Sequence, residues 1–285
     1  MRLFQETRGV SPLRVIYEIL SVPVSILFIL RSKKIHPSYR MGWGKKFRLG
    51  WRMFLNNRRI ETGTSYKVHL AMALKILETS PEVDGDIIEC GTWKGGCAAN
   101  LSLVCDIVGR KLIIFDSFQG LPKGEENDRE AKYYQPGEYS GSLYEVKTNI
   151  KKFGSYQGCE FVQGWFKDTL PKYRRPVLLA FIDVDLEASL HTCMINIWSN
   201  LVLGGWIFTD ECVHTDYIAL FFSEMWWKKY FQTTPPGLIG AGTGLPLGQY
   251  FIGPWIERSA HPYQWASSGA YTQKGMSGHW AYYPE

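Results

Sequence analysis

The sequence predicts an α/β chain in which a mostly parallel sheet carries helices on both faces. Three observations point to it. Apolar runs of strand length alternate with segments of helical period along most of the chain. One run, Val177 to Ile182, is apolar at every position, as a strand buried on both faces should be. A glycine-rich turn, Cys90-Gly-Thr-Trp-Lys-Gly-Gly96, joins the first strand to the next helix, on the side of the sheet where such folds bind ligands.

The elements follow in order. Residues 65–79 place Tyr66, Leu70, Ala73, Leu74 and Leu77 on one helical face. After Pro81 and a turn at Asp84-Gly85 comes a strand, Asp86 to Glu89. A helix from about Cys97 to Val108 and a strand from Lys111 to Asp116 follow. Residues 117–140 read as a charged, Gly- and Pro-containing loop. Ser142 and Glu145 form a capping box that opens a helix, and Gly154 stops it. Then come a strand at Glu160–Gln163, the apolar strand before Asp183, and a helix from about Glu187 to Asn200. A strand from Gly205 to Asp210 and a helix over roughly 215–230 complete the pattern. Thr234–Gly253 reads as a closing hairpin, and 256–285 as a lid or tail. This divides the chain into an extension at 1–59, a body at 60–255 and a tail at 256–285.

A chain of 285 residues that is 45% hydrophobic can bury a large core. Its six cysteines form no C-x-x-C pair and lie mostly in apolar segments, which predicts reduced thiols in the cytoplasm rather than disulfides or zinc. The net charge is +5, yet residues 31–60 alone hold ten Lys or Arg and no acid. The rest of the body is therefore net acidic. Tyr39, Trp43, Phe47, Trp51 and Phe54 interleave with those cations. The apolar stretch before them is uncharged only from Ile19 to Leu30, 12 residues, short of the roughly 20 that span a bilayer. Ile29-Leu30-Arg31-Ser32 offers no signal-peptide cleavage site. Residues 15–59 thus read either as an attachment to the inner, anionic membrane surface or as a helical layer against the body or a second subunit, making a homo-oligomer. Nucleic acid is not expected as a partner, because the acidic body would not extend the basic surface.

The strand ends carry the chemistry. Glu89 and the glycines Gly91, Gly95 and Gly96 end the first strand. An acid there would repel a pyrophosphate but suits a cationic amino-acid group. Asp116, followed by Ser117, ends the second strand, where a carboxylate can accept the two hydroxyls of a ribose. Together the two acids suggest S-adenosylmethionine. Asp183, Asp185, Asp210 and Glu211 end the fourth and fifth strands, and neighbouring ends would gather them around a hard cation such as Mg²⁺. The plainer alternative leaves them in solvent. Trp165 is placed to cover an adenine or to fill core. His69 and His191 read as packing or surface residues.

At this point the sequence resembles the macrocin-type sugar O-methyltransferases, the TylF/MycF/NovP family. The resemblance rests on GDIIECGTWKGG (85–96), IIFDSFQGLP (113–122), GSLYEVKTNIKKFG (141–154), QGWFKDTLP (163–171), FIDVDLEAS (181–189) and LVLGGWIFTDE (201–211). It implies a class I methyltransferase, Rossmann-like fold with a seven-stranded sheet. It implies methyl transfer from S-adenosylmethionine to a sugar hydroxyl of a glycan, glycolipid or natural product. By motif position the Mg²⁺ ligands would be Asp183, Asp210 and Glu211, and the general base Asp185. His214, three residues past Glu211, is a second base candidate. The chain has Asp210-Glu211 where the family pattern has Asp-Asp, and Glu187 where it has Tyr. Two rivals remain. A metal-dependent glycosyltransferase would use Asp183-x-Asp185, and a non-catalytic membrane-associated module would keep the fold alone.

Overall fold

A computed structural model describes residues 29–123, 134–210, 215–239 and 269–275, together with Pro23, Ile26 and Leu27. The N-terminal layer is helix α1 (Trp43–Arg59), followed by α2 (Tyr66–Glu78), whose N-cap Ser65 accepts from the Lys67 amide. The body then runs β1 (Asp86–Cys90), α3 (Gly96–Val108), β2 (Leu112–Asp116), α4 (Leu143–Phe153), β3 (Cys159–Gln163) and the single turn α5 (Phe166–Thr169). Next come β4 (Val177–Ile182), α6 (Glu187–Ile197), β5 (Leu201–Thr209), α7 (Thr215–Ala219), α8 (Glu224–Phe231) and β6 (Ala270–Gln273).

The sheet order is β3-β2-β1-β4-β5-β6, parallel except for β6. Side chains alternate across it and build two cores. Ile87, Ile114, Leu179 and Phe181 face the layer of α1 to α4. Ile88, Ile113, Phe115, Ala180 and Ile182 face α6 to α8, where Trp227 is fully buried against Trp198. β4 is buried along its whole length, as its sequence requires. The chain starts at β1 and winds outward both ways, so the crevice beside the C-terminal ends of β1 and β4 is the switch point of the sheet.

Three differences from the sequence reading have physical reasons. β5 begins at Leu201, ahead of Gly205, and Gly204 sits at φ 78 where the register against β4 shifts. The glycine pair marks a bulge inside the strand, not its start. The antiparallel neighbour of β5 comes from 270–273, beyond the 255 boundary; its four residues are too few to reveal a period. Of the expected hairpin at 234–253, Ile239 bridges Tyr271 from the far side of β6, and residues past it lie outside the described ones. The described residues therefore give six strands rather than seven.

Candidate active site

A cavity of about 620 Å³ opens at the C-terminal ends of the parallel strands. Glu89, Gly91, Asp116, Ser117 and Trp165 line it, and so do Asp183, Asp185 and Asp210. The strands place these groups together, because each acid stands at or just past the end of its strand.

Thr92 organises one half. Its hydroxyl donates to Glu89 Oε2 at 3.0 Å, and its amide donates to Asp116 Oδ2 at 2.7 Å. Asp116 Oδ1 accepts from the Phe118 amide at 2.6 Å. Glu89 is fully buried, and its Oε1 has no hydrogen-bond partner. Burial pushes its carboxyl up to about 8 and also raises that of Asp116. An orphaned acceptor in a cavity fits a cationic donor from a ligand. Gly91 sits at φ 82, and a Cβ there would stand 1.8 Å from the Asp183 carbonyl oxygen. Its close approach is thus to the neighbouring strand end. Gly95 is the left-handed N-cap of α3, packed on Val146, and does not line the cavity. The Ser117 hydroxyl donates to Gly120 O and accepts from the Gln119 amide, so it shapes the loop beside the cavity.

The other half converges on Thr64. Its hydroxyl lies 2.9 Å from Asp183 Oδ2 and 3.2 Å from Asp210 Oδ2. With one proton it donates to one carboxylate at a time. Two carboxylate oxygens directed at one point are donor chemistry that fits a hard cation. Among the described residues, no three His, Cys, Asp or Glu group as a metal site. Glu211 and His214 lie outside the described residues. Asp185 stands in the left-handed region at φ 56, in a turn closed by the Leu186 amide on Val184 O at 2.6 Å. A non-glycine residue held there is strained, as groups at functional sites often are. Burial first, then Asp210 and Glu138, raise its carboxyl to about 7.

Sequence reading missed Thr64 and Thr92, because threonine in a turn carries no signal of what it will touch. It also missed the cavity-lining pair Trp93 and Tyr139, in T-shaped contact at 5.3 Å, both with left-handed backbones. Thr64 is tied to α1 by a polar chain: Asn57 Nδ2 donates to its carbonyl at 2.8 Å, and Asn100 Nδ2 donates to Asn57 Oδ1 at 3.0 Å. His69 ends this chain 2.8 Å from Asn100 Nδ2, and burial lowers its pKa to about 3. His191 accepts from Trp226 Nε1 at 3.0 Å. Both histidines are therefore packing groups, as expected.

A family model described as macrocin-O-methyltransferase (TylF) matches residues 62–232. The chain is 32% identical over 139 residues to 8-demethyl-8-(2,3-dimethoxy-alpha-L-rhamnosyl)-tetracenomycin-C 4'-O-methyltransferase of Streptomyces olivaceus, covering 45% of this chain and 53% of that protein. It is 30% identical over 145 residues to mycinamicin III 3''-O-methyltransferase of Micromonospora griseorubida, covering 46% and 57%. The match thus spans about half the length of these curated relatives. The solved O-methyltransferase NovP superimposes with a TM-score of 0.56 at 19% identity, over 90% of this chain and 98% of that one. A calicheamicin methyltransferase gives 0.51 at 17% identity, over 93% and 94%. At these identities the two structures show the shared class I methyltransferase fold.

Proposed function

The chain belongs to the macrocin O-methyltransferase (TylF) family, and from that membership we propose that it methylates a sugar hydroxyl with S-adenosylmethionine and Mg²⁺. The observation that carries the reading is the Glu89–Thr92–Asp116 cradle with its orphaned buried oxygen. Glu89 would take the ammonium of the methionine part. Asp116, already fixed by two amides, would turn its remaining lone pairs to the ribose. Gly91 and Ser117 shape the backbone around it, Gly95 starts the helix behind it, and Trp165 covers the adenine. The cofactor supplies an electrophilic methyl on a sulfonium, so the residues have mainly to bind and align.

At the acid end, Asp183, Asp210 and Glu211 would hold the cation, which supplies Lewis acidity toward the sugar hydroxyl. Asp185 would accept the hydroxyl proton, with His214 as the second candidate. A carboxyl held near 7 takes up a proton close to neutral pH, as a general base must. The relatives named above act on glycosylated natural products by their names; for this chain the acceptor class is a sugar of a natural product, glycan or glycolipid.

The test is a transfer assay with methyl-labelled S-adenosylmethionine against sugars of those three classes. Label should appear as a sugar methyl ether, vanish after EDTA treatment and return with Mg²⁺. Full transfer after EDTA would remove the metal from the reading. Transfer only to non-sugar acceptors would remove the substrate class.

A further inference from the structure

Helix α1 presents a face that the rest of the described molecule leaves open. Its inner side is core: Leu49, Gly50, Met53 and Asn56 are buried, and Ile26 and Ile29 close over Gly50. Trp43, Phe47 and Trp51, four residues apart, form a row on another side and are 68%, 50% and 41% exposed. Lys45 and Arg48 are exposed beside that row, Arg52 and Arg59 reach back to the Phe153 carbonyl and ring, and the helix contains no acid. At its N-terminal end a groove of about 590 Å³ is lined by Arg31, Lys33, His36, Trp43 and Lys46.

We propose that this face of α1 lies flat on an anionic lipid surface. The aromatic row would sit in the headgroup boundary and the cations over the lipid phosphates. Large apolar groups in one exposed row mark an interaction surface, and aromatics flanked by cations match the polarity profile of a membrane interface. Charge selects the occupant. A second copy docked through the same face would set these cations against their own equivalents, and α1 offers no acid to offset them. Phe47 and Trp51 stack on one another, with planes 7° apart, rather than standing free for bases. No described helix is long and apolar enough to cross a membrane. Of the described residues before α1, Ile26 and Ile29 are buried in the body, whereas Leu27 is 41% exposed.

The experiment is sedimentation of the full chain with vesicles of phosphatidylglycerol and phosphatidylcholine, against phosphatidylcholine alone, at low and high salt. Two variants accompany it: Trp43→Ser/Phe47→Ser/Trp51→Ser and Lys45→Glu/Arg48→Glu. Melting temperature serves as the control for folding, since all five side chains are exposed. The full chain should bind the anionic vesicles alone, and each variant should lose at least tenfold in partitioning with little change in melting. The charge component should fade with salt and the aromatic component should persist. A chain that stays in the supernatant at low salt overturns the proposal, as do variants that bind like the parent. So does a switch from oligomer to monomer in the variants without vesicle binding, or retention on single-stranded oligonucleotide without vesicle binding.

Discussion

The two ends of the sheet treat the same residue type in opposite ways. At the N-terminal ends of the strands, Arg175 pairs with Asp86 and Glu160, each at 2.8 Å, and Tyr173 donates to Asp86 at 2.7 Å. Arg175 and Lys111 hold the Glu160 carboxyl below its usual range. Three residues along β1 from Asp86, Glu89 has only neutral groups for company, the Thr92 hydroxyl first and then the Cys97 thiol and the Ala98 backbone, and Asp116 has backbone amides. No cation among the described residues pairs with either. Their carboxyls, and that of Asp185, are raised instead. Acids beside a guanidinium are satisfied as the chain folds. Acids buried beside neutral donors stay costly until a ligand arrives, and that cost marks the functional end.

The largest break in this contrast should come from Asp183→Asn and Asp210→Asn. Each removes the negative charge of one of the two carboxylates that meet at Thr64. Labelled methyl transfer should fall by about 10²–10³-fold, the scale for losing one preorganised electrostatic group. Mg²⁺ should raise the melting temperature of the parent and leave both variants unmoved. Equal Mg²⁺ stabilisation in all three would show that the cation binds elsewhere.

Glu89→Gln should move two properties in opposite directions. Without the charge, S-adenosylhomocysteine should bind roughly 10–100-fold more weakly, since a hydrogen bond to a charged group is worth about 1.5–3 kcal/mol. Stability should rise. The folded-state pKa of Glu89 is raised from 4.5 to about 8. Between those values the folded chain keeps a proton that the unfolded chain has lost, so Glu89 makes stability fall as pH rises through that window. The Gln variant should lack that part of the slope and gain most over the parent near pH 8. Melting scans from pH 5 to 8.5 check the sign; parallel curves would contradict a raised Glu89.

Asp116→Ala should weaken S-adenosylhomocysteine by roughly 1–3 kcal/mol, read by calorimetry. Unchanged affinity would take Asp116 out of the ribose role. The smallest effect belongs to the other end of the sheet. Arg175→Ala should cost about 1 kcal/mol or less in denaturant unfolding, because its pairs with Asp86 and Glu160 are partly exposed and screened. It should leave cofactor affinity unchanged. A large loss of affinity in that variant would erase the distinction between the two ends.

Much of this contrast was legible in the sequence. The alternation of strands and helices, the wholly apolar β4 and the acids at the ends of β1, β2, β4 and β5 follow from residue type and period, which are local. Cavity placement was readable for Glu89, Asp116, Asp183, Asp185 and Asp210 because a parallel sheet brings its C-terminal strand ends together. Thr64 was not readable. It stands 119 residues from Asp183 and meets it only because Asn57 and Asn100 draw the α1–α2 link over the strand ends. Nor could glycine spacing separate Gly91, which lines the cavity, from Gly95, whose left-handed backbone serves a helix start. β6 escaped because pairing with a distant edge, rather than its own four residues, makes it a strand.

The central claim is that the cavity at the strand ends receives S-adenosylmethionine through Glu89 and Asp116. Isothermal titration of the full chain at pH 7, with S-adenosylhomocysteine and separately with UDP-glucose plus Mn²⁺, tests it most directly. The account predicts one S-adenosylhomocysteine per chain, with protons released as the ligand ammonium draws Glu89 into its ionised form. Repeating the titration in two buffers of different ionisation enthalpy reads that release. Binding of UDP-glucose with Mn²⁺, and no heat from S-adenosylhomocysteine, would contradict the account and restore the glycosyltransferase reading.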